Sequence, residues 1–188
     1  MKLLFVIDMQ NDFIDGALGT KEAQAIVPNV VQKIRDYDGR GIVVTQDKHY
    51  GWDYKYTLEG KMLPIPHCIK GTPGYEINEV VLNELLKRNK VGDRCVTVER
   101  FDKPTFGCIE MCEFLKEKFE GVEYFNEPME FEIVGLCTDI CVVSNALLLR
   151  AYFPNARIVV DSNCCAGTTP EAHEAALKVM ESCQIGVI

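Results

Sequence analysis

Two cysteines four residues apart stand where the sequence changes from a strand-like to a helix-like pattern. They are Cys137 and Cys141, in the segment GLCTDICVVSNALL. The pattern predicts that Cys141 lies in the first turn of a helix, where free backbone N–H groups and the helix dipole lower the pKa of a thiol. The same amides could stabilise the oxyanion formed when a thiolate attacks a carbonyl carbon. Cys141 is therefore a candidate nucleophile, although many free cysteines are inert packing residues.

Two charged residues at other predicted strand ends could act on this thiol. Asp8 closes the first apolar run, and Lys103 follows the third predicted strand. Pro104 disfavours helical geometry at Lys103, so we place the lysine in the loop at the carboxyl end of that strand. A lysine that reaches Asp8 would attract its carboxylate and keep a nearby thiolate ionised. Arg100 is the alternative cation, although an arginine stays charged and cannot transfer a proton.

Three more residues have the types and spacing of a divalent-metal site. Asp47 and His49 leave the second predicted strand two residues apart, and His67 follows in PIPHCIKG. Alternate residues leaving a strand can face one side, and a returning loop can supply a third ligand. The alternative is that these are isolated loop histidines that bind nothing. We assign His173, within a predicted helix, and Asp12, which can cap local amides, to structural roles.

The elements that position these residues follow from hydrophobic patterning. Six apolar runs alternate with segments of helical period, and runs that are apolar throughout are typical of parallel strands covered on both faces. The predicted strands are residues 3–8, 41–47, 95–99, 130–136, 156–162 and 184–188, and the predicted helices are residues 23–38, 76–88, 107–118, 140–152 and 170–182. This pattern predicts a Rossmann-like, three-layer α/β/α domain with a six-stranded, mostly parallel sheet. Ligands of such sheets bind beyond the carboxyl ends of the strands, where the candidate residues should converge.

Residues 48–75 form the longest predicted loop, and they show no sustained hydrophobic period. Loops of this length in compact domains are usually functional, so we expect an active-site loop. No linker, internal repeat or low-complexity tract is evident, and residues 1–188 are predicted to form a single domain.

Composition limits the classes of function. A net charge of -8 with 20 dispersed Lys and Arg opposes binding to nucleic acid, which needs a concentrated basic face. No apolar run reaches the roughly 18 residues of a membrane helix, and no signal-peptide pattern is present. Nine cysteines cannot all pair internally, which favours reduced thiols. We expect a cytoplasmic protein that acts on a small molecule and forms a homo-oligomer.

Several segments resemble the isochorismatase-like cysteine hydrolases, and among them the nicotinamidases. The matching segments extend over nearly the whole chain: FVIDMQNDF (5–13), VVTQDKH (43–49), PIPHCIKGTPG (64–74), KPTFG (103–107), VGLCTDICV (134–142) and EAHEAAL (171–177). The resemblance implies a catalytic triad of Asp8, Lys103 and Cys141. It also implies a non-proline cis peptide between Leu136 and Cys137, and an oxyanion hole formed by the backbone amides of Cys137 and Cys141.

The resemblance further implies a metal-assisted amidohydrolase. Its divalent metal, expected to be zinc with manganese or iron as alternatives, would be bound by Asp47, His49 and His67. The expected reaction converts nicotinamide to nicotinate and ammonia. The alternatives are hydrolysis of another small amide or carbamoyl compound, or a catalytically silent relative that binds a metabolite.

Aromatic side chains are expected to flank the substrate ring. The resemblance favours Phe13, with Trp52 and Phe106 as further candidates. The sequence Lys48-His49-Tyr50 differs from the Trp-His-Pro motif that is usual in the family. This difference predicts a differently shaped pocket for the substrate ring.

Overall fold

A six-stranded parallel sheet with helices on both faces forms the architecture of the computed structural model, which describes residues 1–88, 97–119 and 129–188. The strands are β1 (Lys2–Ile7), β2 (Gly41–Asp47), β3 (Thr97–Lys103), β4 (Glu130–Leu136), β5 (Arg157–Ala166) and β6 (Gly186–Val187). The helices are α1 (Asn11–Ile14), α2 (Lys21–Asp36), α3 (Leu58–Met62), α4 (Glu79–Arg88), α5 (Ile109–Lys118), α6 (Val143–Tyr152) and α7 (Pro170–Ser182). The predicted three-layer α/β fold is confirmed.

The two faces of the sheet carry separate hydrophobic cores. Alternate residues of β1 supply both: Phe5 belongs to the core under α5, α6 and α7, and Val6 belongs to the core under α2 and α4. Strands covered in this way must be apolar on both faces, which explains the continuous apolar runs in the sequence.

The strand order is β3-β2-β1-β4-β5-β6. The strands β2 and β3 follow on one side of β1 and the strands β4, β5 and β6 on the other, so the order reverses between β1 and β4. Ile7 pairs with Thr45 of β2 on one side and with Gly135 of β4 on the other. Gly135 has φ +122°, and a Cβ atom there would collide with the carbonyl oxygen of Ile7. The residue after β1, Asp8, therefore lies at the topological switch point, where ligands of open parallel sheets bind.

The third strand ends later than the sequence pattern predicts. β3 pairs with β2 as far as Asp47 opposite Lys103, and the Lys103 carbonyl accepts a hydrogen bond from the Lys48 amide at 2.9 Å. The prediction that Lys103 lies in the following loop is therefore wrong. The ladder stops at Pro104, which has no N–H to donate. The first two residues of the predicted strand, 95 and 96, lie outside the described residues.

The long segment after β2 is more ordered than predicted. It contains a 3₁₀ turn at Tyr54–Tyr56 and the short helix α3. Thr57 begins α3 by accepting a hydrogen bond from the Gly60 amide at 2.9 Å. The segment before α6 also differs from a plain helix start, because Thr138–Val142 forms a π-helical turn. Among the helices of the described ranges, none combines the length and apolar character required to span a membrane.

Candidate active site

The three residues predicted to form a catalytic triad lie in contact at the carboxyl edge of the sheet. Lys103 Nζ lies 2.7 Å from Asp8 Oδ2 and 3.3 Å from Cys141 Sγ. All three side chains are buried. Arg100 does not reach this cluster, because its guanidinium donates to Gln46 Oε1. Lys103 is thus the cation that neighbours both the carboxylate and the thiol.

One positive charge in this contact faces two acidic groups. Burial raises the pKa of the Asp8 carboxyl, and the Lys103 ammonium opposes that shift. Burial also raises the pKa of the Cys141 thiol well above its ordinary value, and the Asp8 carboxylate adds to the effect. Thr45 donates its hydroxyl proton to Asp8 Oδ1 at 2.6 Å, which favours the ionised carboxylate. The resting cluster is therefore an Asp8–Lys103 ion pair beside a protonated thiol.

The expectation that helix-start amides lower the pKa of Cys141 is wrong for this structure. The thiol is 5% exposed, and the loss of hydration outweighs the dipole of the short π-helical turn that contains it. Activation of the sulfur consequently depends on a neighbouring base. Asp8, hydrogen-bonded to the Cys141 side chain, is placed to be that base.

The turn that carries the nucleophile is fixed by backbone hydrogen bonds. The Cys137 carbonyl accepts from the amides of Ile140 at 3.1 Å and Val142 at 3.0 Å. The Leu136–Cys137 peptide is cis, which confirms the position that the resemblance implies. Burial raises the pKa of the Cys137 thiol to about 12, so this sulfur has little thiolate character at neutral pH.

Asn145 holds the nucleophile turn against the loop that follows β3. Its Nδ2 donates to the carbonyls of Cys141 at 2.8 Å and Phe106 at 3.1 Å, and its Oδ1 accepts from the Cys108 amide at 2.9 Å. Asn145 is fully buried. Asn145 was not predicted as a site residue from the sequence. The only signal for it is a polar amide within an otherwise apolar helix start, one turn after Cys141.

A second cluster, next to the triad, has the composition of a metal site. The structure brings together the predicted Asp47, His49 and His67, and adds Glu59 from α3. The candidate ligand atoms of these four residues all lie within 4.8 Å of one another. His49 Nε2 lies 2.8 Å from Asp47 Oδ2, and His67 Nε2 lies 3.4 Å from Glu59 Oε1. We define these four residues as the metal group.

The contacts of two buried polar atoms test whether a metal fits the metal group. Asp47 Oδ2 and His49 Nε2 lie 2.8 Å apart, and their other close contacts are with His67 Nε2 and Glu59 Oε2, each at 3.5 Å, so the ligand atoms converge on one another. Buried polar atoms normally have partners, and two imidazole nitrogens with two carboxylates form a donor set suited to zinc and related divalent ions. The residues present therefore fit a divalent metal.

Charges around the metal group are arranged to keep its ligands in place. Burial opposes ionisation of Asp47, but the imidazoles of His49 and His67 and the Lys103 ammonium hold the pKa of its carboxyl well below the ordinary value. Burial lowers the pKa of His67, yet Asp47 and Glu59 raise it overall to about 10. Two adjacent carboxylates thus attract positive charge to this position, whether from a proton or from a metal ion.

Neighbouring backbone and side-chain contacts orient the metal group. The side-chain amide of Gln10 donates from Nε2 to the backbone carbonyl of Asp47 at 2.8 Å, and its Oε1 accepts from the backbone N–H of Asp47 at 2.7 Å. His67 Nδ1 lies 2.9 Å from the Ile65 carbonyl, which fixes the ring so that Nε2 faces the other ligands. Asp12 accepts from the Cys68 amide at 2.7 Å, a structural role as predicted.

Cys141 and the four residues of the metal group line one cavity of about 670 Å³. Phe13 lines it beside His67, with ring centroids 5.5 Å apart, and Phe106 lines it from the loop after β3. The structure does not bring Trp52 to the cavity. Its side chain is 75% exposed and stacks near Tyr50. The 3₁₀ turn that follows directs the chain toward α3, so we exclude Trp52 from the pocket.

Glu59 is, after Asn145, a second site residue that the sequence pattern did not predict. The segment around it, Leu58-Glu59-Gly60-Lys61, has no metal-ligand spacing to His49 or His67. One local feature of the sequence could have indicated Glu59. It lies two residues after Thr57, a residue type that often begins helices, and both residues lie in a loop that was expected to be functional.

The geometry brings a thiol, a carboxylate, an ammonium group and the metal group close together at the carboxyl edge of the sheet. A sequence model of the isochorismatase domain matches residues 2–188. A probable inactive nicotinamidase of Arabidopsis thaliana is 32% identical over 98% of this chain and 89% of its own. A nicotinamidase/pyrazinamidase of Bacillus subtilis superposes with a TM-score of 0.78 at 28% identity, covering 99% and 98% of the two chains. A pyrazinamidase of Pyrococcus horikoshii in complex with zinc superposes with a TM-score of 0.73 at 25% identity, covering 100% and 98%.

Proposed function

The chain belongs to the isochorismatase family, and from this premise we propose that it is a metal-dependent cysteine amidohydrolase that converts nicotinamide to nicotinate and ammonia. One observation carries the proposal: Lys103 Nζ lies 2.7 Å from Asp8 and 3.3 Å from the sulfur of Cys141, and Cys141 lines the same cavity as the metal group. Relatives named nicotinamidases support the choice of substrate.

In the first half-reaction, Asp8 accepts the thiol proton as Cys141 Sγ attacks the carboxamide carbon. The backbone amides of Cys137 and Cys141 stabilise the oxyanion of the tetrahedral intermediate. The C–N bond then breaks, and the proton held by Asp8 passes to the nitrogen, which leaves as ammonia. The product of this step is a thioester on Cys141.

The second half-reaction regenerates the thiol. Asp8 takes a proton from a water molecule, and the resulting hydroxide attacks the thioester carbon. The C–S bond breaks, the sulfur recovers the proton from Asp8, and the acid leaves and loses its own proton to water as nicotinate. Lys103 keeps Asp8 ionised between proton transfers and compensates the charge of the departing thiolate.

The metal group of Asp47, His49, Glu59 and His67 would hold a divalent ion beside this chemistry, with zinc as the expected metal. When bound, the ion supplies a Lewis acid for the ring nitrogen of the substrate. Phe13, which packs beside His67, would flank the ring.

Ammonia release from nicotinamide tests the proposal, with purified protein supplied separately with zinc, manganese and iron. We expect turnover by the wild type and a loss of at least about 10³-fold in kcat for Cys141→Ala. Cys183→Ala is the matched control, because Cys183 is a half-buried free cysteine that lies outside the cavity, and its activity should equal that of wild type. Absence of turnover in the wild type, or unchanged turnover in Cys141→Ala, would refute the proposal.

A cysteine hydrolase for another small amide is the second candidate, and the size of the cavity favours it. Such an enzyme would use the same triad without needing the ring nitrogen to be bound. Activity that survives His49→Ala and His67→Ala, in protein without stoichiometric metal, would support this candidate. A catalytically silent relative is less compatible with an intact contact between Lys103 and Cys141.

A further inference from the structure

The cavity is larger than one pyridine carboxamide requires. Its volume of about 670 Å³ falls in the range of roughly 300–1,000 Å³ typical of pockets for drug-sized ligands. We propose that the preferred substrates are aromatic carboxamides with an apolar substituent on the ring, and that the substituent lies in a mouth formed by α3 and Phe106. This inference rests on the proposed function and specifies its substrate class.

The mouth is apolar and belongs to the cavity itself. Leu58 and Met62 stand one helical turn apart on α3, so both side chains lie on one face of that helix. Both line the cavity, yet they are 78% and 79% exposed, and Phe106, also in the lining, is 46% exposed. Exposed apolar side chains grouped around a pocket are typical of ligand-binding surfaces.

Charge separates the two ends of the cavity. Among the described residues that line it, the Asp, Glu and His side chains are those of the metal group. Leu18, Leu63, Pro104 and Ile140 are further apolar residues of the lining. The hydroxyls of Thr57 and Thr105 also belong to the lining, and they already donate to the carbonyls of Tyr54 and Gly107. A polar or charged substituent in the mouth would lose hydration without gaining a charged partner, whereas an apolar one would be stabilised by burial.

The orientation required by the reaction points a substituent toward the mouth. The carboxamide must reach Cys141, and the ring nitrogen must face the metal group. The ring carbon that is meta to both, position 5, is the one directed away from both. A short alkyl chain at position 5 would therefore leave the polar end of the cavity and contact Leu58, Met62 and Phe106.

The residues that line the mouth also distinguish a substrate subsite from a protein-binding surface. Trp52 and Tyr56 are exposed nearby but do not line the cavity, whereas Leu58, Met62 and Phe106 do. The apolar surface is thus continuous with the catalytic end of the cavity, which favours a substituent of the substrate as the occupant.

Steady-state hydrolysis of nicotinamide and 5-propylnicotinamide by metal-loaded protein tests the inference. We expect kcat/KM to be at least about 10-fold higher for the propyl compound, the low end of the discrimination that apolar pockets provide. Calorimetric binding of nicotinate and 5-propylnicotinate supplies a readout that is independent of turnover, and the propyl acid should bind at least about 10-fold more tightly.

Near-isosteric variants locate the effect. Met62→Gln and Leu58→Asn should each reduce the propyl-to-hydrogen ratio of kcat/KM, and the same ratio of affinities, by about 5- to 10-fold. Leu86→Asn is the matched control, because Leu86 is an exposed leucine on α4, and it should leave both ratios at the wild-type value.

The outcomes separate this inference from the proposed function. Hydrolysis of nicotinamide with no gain for the propyl compound, or equal ratios in all variants, overturns the inference alone. Failure to hydrolyse either amide overturns the proposed function, and equal binding of the two acids then overturns the inference as well.

Discussion

Asp8 and Cys141 share a single positive neighbour, Lys103, and this determines where their common proton resides. Lys103 is 1% exposed and Asp8 is fully buried, so neither charge can be compensated by water. A buried ion pair tolerates one negative charge for each positive one. Because the pKa of a free thiol is higher than that of a carboxyl, the sulfur keeps the proton at rest. The structure therefore indicates a neutral thiol rather than a preformed thiolate, which is the resting state that the proposed base-assisted attack requires.

The pH dependence of Cys141 alkylation follows from its raised pKa. Burial and the Asp8 carboxylate raise this pKa, so the neutral thiol predominates at pH 7. The thiolate forms only when the pH exceeds the ordinary pKa of a cysteine. We expect the rate of iodoacetamide reaction in metal-free folded protein to rise with pH without levelling off by about pH 9. The rate is measured by mass spectrometry of the peptide that contains Cys141.

The same peptide in urea-unfolded protein is the control for this prediction. There the thiol should titrate near about 8.5, the value for an unperturbed cysteine. If the alkylation rate of the folded protein levelled off at a lower pH than the rate of the unfolded protein, the fold would stabilise the thiolate. That result would contradict the assignment of Asp8 as the base that must first remove the proton.

For single residues, the sequence was sufficient to predict most of the side chains that form the site, but not how deeply each is buried or which charges surround it. Asp8, Lys103 and Cys141 could be selected because each lies at a predicted strand end, and Asp47 and His49 because alternate residues share a side. The raised pKa of Cys141 could not be predicted, because it depends on burial by distant parts of the chain. Glu59 could not be predicted for the same reason, since its approach to His67 depends on where α3 packs.

Asn145 connects two elements that must stay in register for the site to form. α6 begins just after the nucleophile, and the loop before α5 carries Phe106 and follows directly on Lys103. The side chain of Asn145 makes three hydrogen bonds here: two cross the junction to Phe106 and Cys108, and one joins the carbonyl of Cys141. Without it, buried backbone groups of both segments would have no partner, at a cost of about 1–3 kcal/mol each.

We expect Asn145→Ala to lower the free energy of unfolding by about 2–4 kcal/mol, measured by urea titration. It should also lower kcat, because Cys141 would no longer be held against Lys103. Asn163→Ala is the control, since Asn163 is exposed and should cost less than about 0.5 kcal/mol. Equal costs for the two variants would contradict the connecting role of Asn145.

A partly buried charge cluster, separate from the active-site cavity, joins α2 to the sheet. Lys33 Nζ lies 2.6 Å from Glu132 Oε1 of β4 and 2.7 Å from Asp161 Oδ2 of β5. Burial lowers the pKa of Lys33, but the two carboxylates raise it overall above the ordinary value. The lysine therefore stays charged across the neutral range and offsets two carboxylates that are only about one-tenth exposed.

Lys33→Met should lower the free energy of unfolding at pH 7 by about 2–3 kcal/mol, less than the roughly 3–5 kcal/mol for breaking a fully buried pair. The reason is that Glu132 and Asp161 would then repel each other in a poorly hydrated position. Lys178→Met, which removes an exposed lysine of α7, should change stability by less than about 0.5 kcal/mol. A Lys33→Met variant as stable as wild type in urea would show that the cluster contributes nothing.

Element boundaries were predictable where a local signal exists. α7 begins at Pro170 after the cap Thr169, as the sequence Thr-Pro-Glu indicates. The end of β3 was not predictable from its polar residues, because pairing with β2 rather than burial extends it to Lys103. α3 was missed because a five-residue helix is too short to show a hydrophobic period.

The order of strands in the sheet gives the whole molecule its active edge. Parallel pairing of β1 with both β2 and β4 brings Asp8, the end of β2 and the nucleophile turn to one place. The sequence predicts six mostly parallel strands, because the apolar runs alternate with segments of helical period. It does not determine which strands are neighbours, since apolar runs of similar length can exchange positions without exposing hydrophobic surface.

Metal binding should stabilise the whole fold, because the metal group joins the end of β2, the short helix α3 and the loop that carries His67. A ligand that binds only the folded state stabilises it by about 2.7 kcal/mol at 100 times its Kd. For a chain of this size, that corresponds to a rise in Tm of roughly 5–10 °C. We expect this rise when zinc is added to chelator-treated protein, measured by calorimetry.

Variants of two histidines distinguish site binding from general effects of zinc. His67→Ala removes one imidazole ligand and leaves Asp47 with a weaker partner set, so most of the rise in Tm should disappear. His173→Ala removes an imidazole that contacts Thr138 instead of the metal group, so it can lower the starting Tm but should preserve the rise on adding zinc. An equal rise in wild type and His67→Ala would mean that zinc stabilises the protein at another place, and the metal group would lose its assignment.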